Sequence, residues 1–255
     1  MPAMRAFGLI GYPLGHSFSA EWFARMFLHN GISDATYRNY PLPSIDALPA
    51  LLAEPALLGF NVTAPYKQAV MAYLDELDPT ALRIGAVNCV VRQGDRWKGY
   101  NVDWIGFAES VTELTAGQRP RALLLGSGGA AAAAAFGLAR LGIDYTTVSR
   151  TKQGTGFLSY GELTRSAMQR HRLIVNATPL GTYPDTAHCP PIPYHLLTSD
   201  HLLYDMVYNP PETLFLHRGL EAGARTMNGL RMLEIQAEKS WELFRTARPA
   251  APLRD

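Results

Sequence analysis

The feature that most constrains the fold is a glycine-rich turn between a run of leucines and a run of alanines. Leu123, Leu124 and Leu125 are typical of a buried strand, and Gly126-Ser127-Gly128-Gly129-Ala130-Ala131 follows at once. The turn fits the pattern G-x-G-x-x-A in the strand–turn–helix setting that a dinucleotide fingerprint requires. The sequence therefore predicts a cofactor site at a helix N-terminus. Its candidate contacts are Gly126, Ser127, Gly128, Gly129 and Ala130.

Strand and helix patterns alternate along the chain. Strands are predicted at residues 6–10, 36–40, 57–62, 87–91, 96–100, 122–125, 145–148, 173–176 and 202–205. Helices are predicted from Ser17 or Ser19, from residue 45, from near Pro65, and at 103–114, 130–141 and 230–246. Gln93-Gly94-Asp95 is typical of a hairpin turn. This alternation predicts an α/β fold with a mostly parallel sheet and helices on both faces.

The composition argues against several classes of partner. A formal net charge of +1 over 255 residues gives no reason to expect nucleic acid or an anionic membrane. Cys89 and Cys189 are too few for a disulfide framework and lack metal-ligand spacing, so we expect packed thiols and no metal. No run approaches the roughly 18 apolar residues of a membrane span, and Pro13 and His16 interrupt the N-terminal apolar stretch. A cytoplasmic protein is expected.

A polar segment, Asn61-Val62-Thr63-Ala64-Pro65-Tyr66-Lys67, leads from a predicted strand into an amphipathic pattern. Thr63 is the predicted N-cap of a helix that starts near Pro65. Lys67 would then lie near the positive end of the helix dipole, where a cation loses part of its preference for the charged form. Such a lysine suits proton transfer. A solvated lysine on a helix face is the alternative, and this segment alone does not decide between them.

The strand predicted at 145–148 ends in Ser149-Arg150-Thr151, which bears on the choice of cofactor. NAD-binding chains usually place Asp or Glu here for the ribose hydroxyls. A carboxylate would repel a 2′-phosphate, whereas a guanidinium pairs with it through charge-assisted bonds. Arg150 therefore predicts NADP, with Ser149 and Thr151 as further contacts. A surface arginine without a ligand is the alternative.

Short motifs along nearly the whole chain resemble, in order and spacing, the shikimate dehydrogenase family. They are Gly11-Tyr12-Pro13-Leu14-Gly15-His16-Ser17-Phe18-Ser19, the segment from Asn61 to Lys67, Gly85-Ala86-Val87-Asn88, Asn101-Val102-Asp103, Gly126-Ser127-Gly128-Gly129-Ala130, Asn176-Ala177-Thr178-Pro179-Leu180-Gly181, Tyr204-Asp205-Met206-Val207-Tyr208-Asn209-Pro210 and Asn228-Gly229-Leu230-Arg231-Met232-Leu233-Glu234-Ile235-Gln236. The resemblance implies two α/β domains with a cleft between them. Residues 1–101 would bind substrate and carry catalysis, 102–229 would form a Rossmann-like NADP domain, and 230–255 a helix returning to the first domain.

The resemblance also implies an activity, the NADPH-dependent reversible reduction of 3-dehydroshikimate to shikimate in aromatic amino acid biosynthesis. Lys67 would handle the proton on the ring oxygen, and Asp103 would orient Lys67. The implied substrate contacts are Ser17, Ser19, Asn61, Thr63, Asn88, Tyr208 and Gln236. The implied cofactor contacts also include Thr178, Met206 and Gly229. His16 would be a structural neighbour of the serines, and the chemistry needs no metal.

Some positions depart from the family's motifs, and rival functions remain open. Cys89 and Val102 stand where the family has threonine, so a secondary hydrogen bond near the substrate is expected to be lost. Ser149 stands where the family has asparagine. One rival is a dual quinate/shikimate dehydrogenase that uses more NAD, against which Arg150 argues. Another is a non-catalytic NADP-binding sensor, against which Lys67 and Asp103 argue. A monomer or a homodimer is expected.

Overall fold

The structure is a computed structural model that describes residues 4–14, 18–151 and 154–250. The chain divides into two compact units, one formed by Met1–Val102 with Gln236–Asp255 and the other by Asp103–Ile235. In the part of the chain that the structure describes, each unit contains one six-stranded sheet. The α/β class predicted from the alternation is confirmed.

The sheet of the first unit is mixed. Its strands are β1 (Arg5–Gly11), β2 (Ala35–Pro41), β3 (Leu57–Val62), β4 (Glu76–Leu77), β5 (Cys89–Gln93) and β6 (Arg96–Tyr100), in the order β2-β1-β3-β5-β6-β4. Parallel pairing joins β1 to β2 and β3, whereas β3, β5 and β6 pair antiparallel. The predicted hairpin between β5 and β6 is confirmed, with Gly94 at a φ of +70° that favours glycine. The helices are α1 (Phe18–His29), α2 (Leu48–Leu52) and α3 (Pro79–Ile84).

The segment that follows β3 differs from the prediction. Residues 63–68 form turns, and a 3₁₀ helix then covers Ala69–Tyr73. The Lys67 carbonyl accepts a hydrogen bond from the Val87 N–H at 2.7 Å, and the buried Tyr66 hydroxyl donates to the Leu42 carbonyl at 2.5 Å. These tertiary bonds hold the segment in a shape that a helix would not allow. The predictions that a helix starts near Pro65, that Thr63 caps it and that Lys67 lies in its first turn were therefore wrong.

The sheet of the second unit is parallel throughout its described strands. They are β7 (Ala122–Leu125), β8 (Tyr145–Val148), β9 (Phe157–Leu158), β10 (Leu173–Asn176), β11 (Leu202–Asp205) and β12 (Arg225–Met227), in the order β12-β11-β10-β7-β8-β9. The helices are α4 (Asp103–Thr115), α5 (Gly129–Arg140), α6 (Arg165–Arg170) and α7 (Leu214–Glu221). Leu124 packs in one buried cluster and Leu123 in another, because alternate side chains of a strand point to opposite faces. Burial of both faces explains the continuous leucine run.

The strand order places a topological switch point between β7 and β10. The chain adds β8 and β9 on one side of β7, and then crosses to add β10, β11 and β12 on the other side. In open parallel sheets, ligands bind in the crevice outside the carboxyl ends of the strands at such a point. The glycine-rich turn follows β7 directly and therefore lies at this position.

The last helix, α8 (Leu230–Phe244), contributes to both units, because the boundary between them falls at Gln236. Met232 belongs to a buried cluster of the second unit. In the first unit, the Phe244 ring stacks on Phe7 with the ring centroids 4.8 Å apart, and Trp241 meets Phe7 edge-on at 5.7 Å. Aromatic packing against β1 therefore fixes the C-terminal half of α8.

Replacing Phe244 by alanine should destabilise the first unit strongly. The side chain is 1% exposed, and truncation of a buried phenylalanine typically costs about 3–5 kcal/mol. Denaturant unfolding followed by circular dichroism measures the change. Leu82→Ala is the matched control, since Leu82 of the same unit is 63% exposed and should change stability by no more than about 0.5 kcal/mol. Equal effects of the two substitutions would contradict the packing described for α8.

Candidate functional site

The turn between β7 and α5 leaves the start of α5 open. Gly126 has a φ of +113°, and a Cβ atom there would lie 3.1 Å from the Ala177 carbonyl oxygen, so a larger residue would be strained. Gly128 is the N-cap of α5, and no side chain in the described part of the chain caps this helix. A Cβ atom on Gly128 would meet nothing within 4 Å. The backbone N–H groups of the first turn of α5 are therefore accessible to an anion, as a dinucleotide pyrophosphate requires.

The end of β8 presents the arginine that was predicted to select NADP. Ser149 is buried, and its hydroxyl accepts a hydrogen bond from the Thr151 N–H at 3.3 Å. Arg150 is exposed. Burial raises the pKa of Tyr160, and the positive charge of Arg150 opposes that rise. Because β8 runs parallel to its neighbour β7, the carboxyl ends of the two strands lie side by side. Arg150, just after β8, therefore lies on the same edge of the sheet as the glycine-rich turn, where its exposed side chain is accessible to a phosphate.

A buried amide–carboxylate pair joins the carboxyl ends of β10 and β11. The Asn176 side-chain amide donates to the Asp205 carboxylate at 3.0 Å. Asp205 also accepts from the Val207 N–H at 3.0 Å and from the Thr213 hydroxyl at 2.5 Å. Burial raises the pKa of Asp205 to about 6, and the accepted hydrogen bonds oppose that rise. Neither residue was predicted from the sequence to belong to the site, although a polar residue at the end of each of two apolar strands was a usable signal.

Three predicted cofactor residues adjoin this pair. The Asn176 side-chain oxygen accepts from both the Thr178 N–H at 3.0 Å and the Thr178 hydroxyl at 2.6 Å. The Gly229 N–H donates to the Val207 carbonyl at 3.0 Å. A Cβ atom on Gly229 would lie 2.3 Å from the Met206 carbonyl oxygen, so only glycine fits there. Thr178, Met206 and Gly229 therefore lie at the carboxyl ends of β10 and β11, on the same edge of the sheet as the glycine-rich turn.

A second polar network lies in the first unit and is centred on Asn61. The Asn61 amide donates to the Asn88 carbonyl at 3.1 Å and to the Ser240 hydroxyl at 2.7 Å. Its oxygen accepts from the Tyr37 hydroxyl at 2.9 Å. Burial raises the pKa of Tyr37 well above its ordinary value, and a hydrogen bond from the Ser19 side chain opposes that rise. Tyr37 and Ser240 were not predicted from the sequence to belong to the site.

Asn88 extends this network to Val102 and Gln236, the two residues of the first unit at its boundaries with the second. Its side-chain oxygen accepts from the Val102 N–H at 2.7 Å, and its amide approaches the Gln236 side-chain oxygen at 3.4 Å. The bond at position 102 uses the main chain, so valine there preserves it. Cys89 is fully buried beside Asn88 in β5. The structure thus brings together four of the predicted substrate residues, namely Ser19, Asn61, Asn88 and Gln236.

The other predicted residues lie as follows. Thr63 and Lys67 are half-buried in the turns after β3, in the first unit. Asp103 is buried as the first residue of α4, and Tyr208 is partly exposed, both in the second unit. Ser19 lies inside the first turn of α1, so it is not the N-cap. Ser17, the other candidate cap, and His16 lie outside the described residues.

In residues 4–14, 18–151 and 154–250, no three His, Cys, Asp or Glu side chains are grouped so that they could hold a metal ion. None of the helices described there combines the length and the apolar character needed to cross a bilayer.

The parallel sheet, its switch point and the glycine turn before α5 define a dinucleotide-binding α/β protein. Residues 9–90 match the profile of the shikimate dehydrogenase substrate binding domain. A relative from Symbiobacterium thermophilum, named shikimate dehydrogenase (NADP(+)), is 38% identical over 263 residues, which cover 94% of this chain and 88% of the relative. The chain belongs to the shikimate dehydrogenase family.

Solved structures agree with this membership. Shikimate 5-dehydrogenase from Thermus thermophilus, solved in complex with NADP(H) and shikimate, superposes with a TM-score of 0.85 at 33% identity, covering 96% of this chain and 95% of that one. Ligand-free 5-ketofructose reductase from Gluconobacter sp. strain CHM43 superposes with a TM-score of 0.83 at 27% identity, covering 98% and 96%. The same fold is therefore shared by proteins named for different substrates.

Asp205 should make the stability of the protein depend on pH. Its pKa is raised from the ordinary 3.8 to about 6, so between these values the folded chain keeps a proton that the unfolded chain releases. This group's contribution to folding is therefore lost as the pH rises through that window. Asp205→Asn cannot titrate, and its stability relative to wild type should rise between pH 4 and 7 by on the order of 3 kcal/mol.

Denaturant unfolding at several pH values measures that difference. Asp200→Asn is the matched control, because the Asp200 side chain is 66% exposed and its contact with Arg172 is long, at 3.8 Å. The control should differ from wild type by a nearly constant amount across the same range. A constant difference for Asp205→Asn as well would contradict the view that burial perturbs this carboxyl group.

Proposed function

We propose that the protein reduces 3-dehydroshikimate to shikimate with NADPH, and runs the reaction reversibly. The observation that carries this proposal is the network around Asn61 and Asn88 in the first unit, inside the region that matches the substrate-binding profile. A small ring with a carboxylate and hydroxyl groups needs short hydrogen-bonding side chains rather than an apolar slot. Ser19, Asn88 and Gln236 supply such groups, and Ser17, Asn61, Thr63 and Tyr208 complete the proposed set.

NADPH would supply the hydride. We assign its pyrophosphate to the glycine-rich turn and the N-terminus of α5, where accessible N–H groups and the helix dipole favour an anion. Arg150 would pair with the 2′-phosphate. Thr178, Met206 and Gly229 would hold the nicotinamide half at the ends of β10 and β11. The relative from Thermus thermophilus, which was solved with NADP(H) and shikimate, supports this choice of ligands.

Lys67 and Asp103 are the proposed proton-transfer residues. Lys67 would donate a proton to the ring oxygen as the carbonyl becomes a hydroxyl, and would accept it in the reverse direction. Asp103 would favour the charged form of Lys67 and orient it. Support comes from the Val87–Lys67 backbone bond, which fixes the main chain at Lys67 without a helix. An acidic residue is also well placed at the first position of α4.

A second candidate is the reduction of another polyhydroxylated ketone, which the similarity to 5-ketofructose reductase favours. Dual use of quinate and shikimate and a non-catalytic NADP sensor are the remaining alternatives. Assays that combine shikimate, quinate or 5-ketofructose with NADP or NAD separate all four. Activity with shikimate and NADP alone is the expected result. We place the enzyme in the cytoplasm.

Replacing Lys67 by alanine should lower kcat by at least about a hundredfold, the usual effect of losing a general acid or base. The KM for shikimate should change much less, because the polar network around Asn61 remains. Steady-state kinetics with NADP and shikimate measure both constants. Lys98→Ala is the control for loss of a lysine, since Lys98 lies in the same unit but outside the proposed site, 3.8 Å from Glu76 and 5.6 Å from the centre of the Tyr100 ring. A kcat within a few-fold of wild type would remove Lys67 from the mechanism.

Replacing Arg150 by alanine should weaken NADP by roughly ten- to a hundredfold, because charge-assisted bonds contribute about 1.5–3 kcal/mol each. NAD lacks the 2′-phosphate and should bind as it does to wild type. Measuring KM for both cofactors decides the matter. Arg140→Ala, at the exposed end of α5, is the control for loss of a positive charge. Equal weakening of NADP and NAD would mean that Arg150 supports the loop rather than the phosphate.

A further inference from the structure

We propose that the buried Asn176–Asp205 pair is the positioning element for the nicotinamide half of the cofactor site. This inference rests on the proposed use of NADP. Both side chains are fully buried, so neither is placed to touch a ligand directly. They end neighbouring parallel strands and are register partners, and Asn176 is also paired with Leu125, the last residue before the glycine-rich turn. The pair therefore acts through the loops that leave this edge of the sheet.

On the β10 side, the pair fixes Thr178. The Asn176 oxygen takes both donors of Thr178, the N–H and the hydroxyl, which leaves the threonine side chain one favourable orientation. The same hydroxyl accepts from the Leu180 N–H at 3.3 Å. The methyl group of Thr178 lies 3.2 Å from the position of a Cβ atom on Gly126. The position of Thr178 against the phosphate-binding turn is thus set by one amide oxygen.

On the β11 side, the pair fixes Met206 and Gly229. The Asp205 carboxylate accepts from the Val207 N–H, and the Val207 carbonyl accepts from the Gly229 N–H. Gly229 allows the backbone to approach the Met206 carbonyl closely. A Cβ atom on residue 229 would lie only 2.3 Å from that carbonyl oxygen. The Thr213 hydroxyl, which caps α7, binds the second carboxylate oxygen. Three proposed cofactor contacts, Thr178, Met206 and Gly229, therefore depend on one buried pair of side chains.

The carboxylate also explains why the Asn176 amide has only one possible orientation. An ionised carboxylate accepts hydrogen bonds and cannot donate, so the NH₂ group of Asn176 must face Asp205. Its oxygen must then face Thr178, which offers two donors. A neutral amide at position 205 could donate instead, and the Asn176 amide could rotate away from Thr178. The negative charge thus specifies one loop geometry, although burying it is unfavourable.

The test compares NADP with adenosine 2′,5′-bisphosphate, which lacks the nicotinamide half. Dissociation constants are measured by titration calorimetry on wild type, Asn176→Ala and Asp205→Asn, with Asp200→Asn as the exposed control. We expect NADP to bind at least about tenfold more weakly to Asn176→Ala and several-fold more weakly to Asp205→Asn. Binding of adenosine 2′,5′-bisphosphate should stay within about twofold in every variant. A general loss of structure would weaken both ligands equally.

A milder variant guards against loss of folding. Thr178→Val keeps the shape of the side chain and removes the hydroxyl that Asn176 holds. If Asn176 acts through Thr178, the effects of Asn176→Ala and Thr178→Val on NADP affinity should be clearly less than additive in the double variant. Full additivity, or equal weakening of both ligands, would overturn the inference. Failure of wild type to bind NADP would overturn the proposed function together with it, whereas tight wild-type binding and unaffected variants would overturn the inference alone.

Discussion

The polar networks of both units depend on one constraint: a buried polar group must find a hydrogen-bond partner. Asn61 satisfies it by joining β3 to Asn88, the residue before β5, and to α8. Asn176 satisfies it by joining β10 to β11 and to Thr178. Each side-chain amide donates from its NH₂ group and accepts at its oxygen, so each fixes which neighbours must be acceptors and which must be donors. The loops that carry the proposed site residues are therefore fixed by buried amides. Asn61 is itself a proposed substrate contact, whereas Asn176 acts only through its neighbours.

Close backbone approach is the second device, and glycine makes it possible. A side chain on Gly229 would overlap Met206, and one on Gly126 would crowd Ala177. At Gly128 the space is open, which is what a ligand rather than a neighbouring residue requires. Gly126 and Gly128 of the same turn thus differ in purpose: the first permits close packing against Ala177, and the second leaves space for a ligand. Only the surroundings of each glycine show this difference.

Family membership narrows the function more than the fold does. Proteins named for shikimate and for 5-ketofructose share this architecture at similar structural similarity. We therefore propose that the short polar side chains of the first unit discriminate between substrates, because their hydrogen bonds leave them little freedom to rearrange. Arg150 bears on the cofactor in the same way, because it stands where an acidic residue would favour NAD.

The sequence by itself determined the α/β class, the longer strands of the second unit, the hairpin at Gly94 and the glycine turn before α5. These features are local, since apolar runs and glycine positions constrain φ and ψ within a few residues. The tertiary structure decided the shape around Lys67, because the Val87 N–H and the Leu42 carbonyl, both distant in sequence, take up its hydrogen bonds. It also decided the partners of Asn61, Asn176 and Asp205, since strand order brings these residues together and no local pattern encodes it.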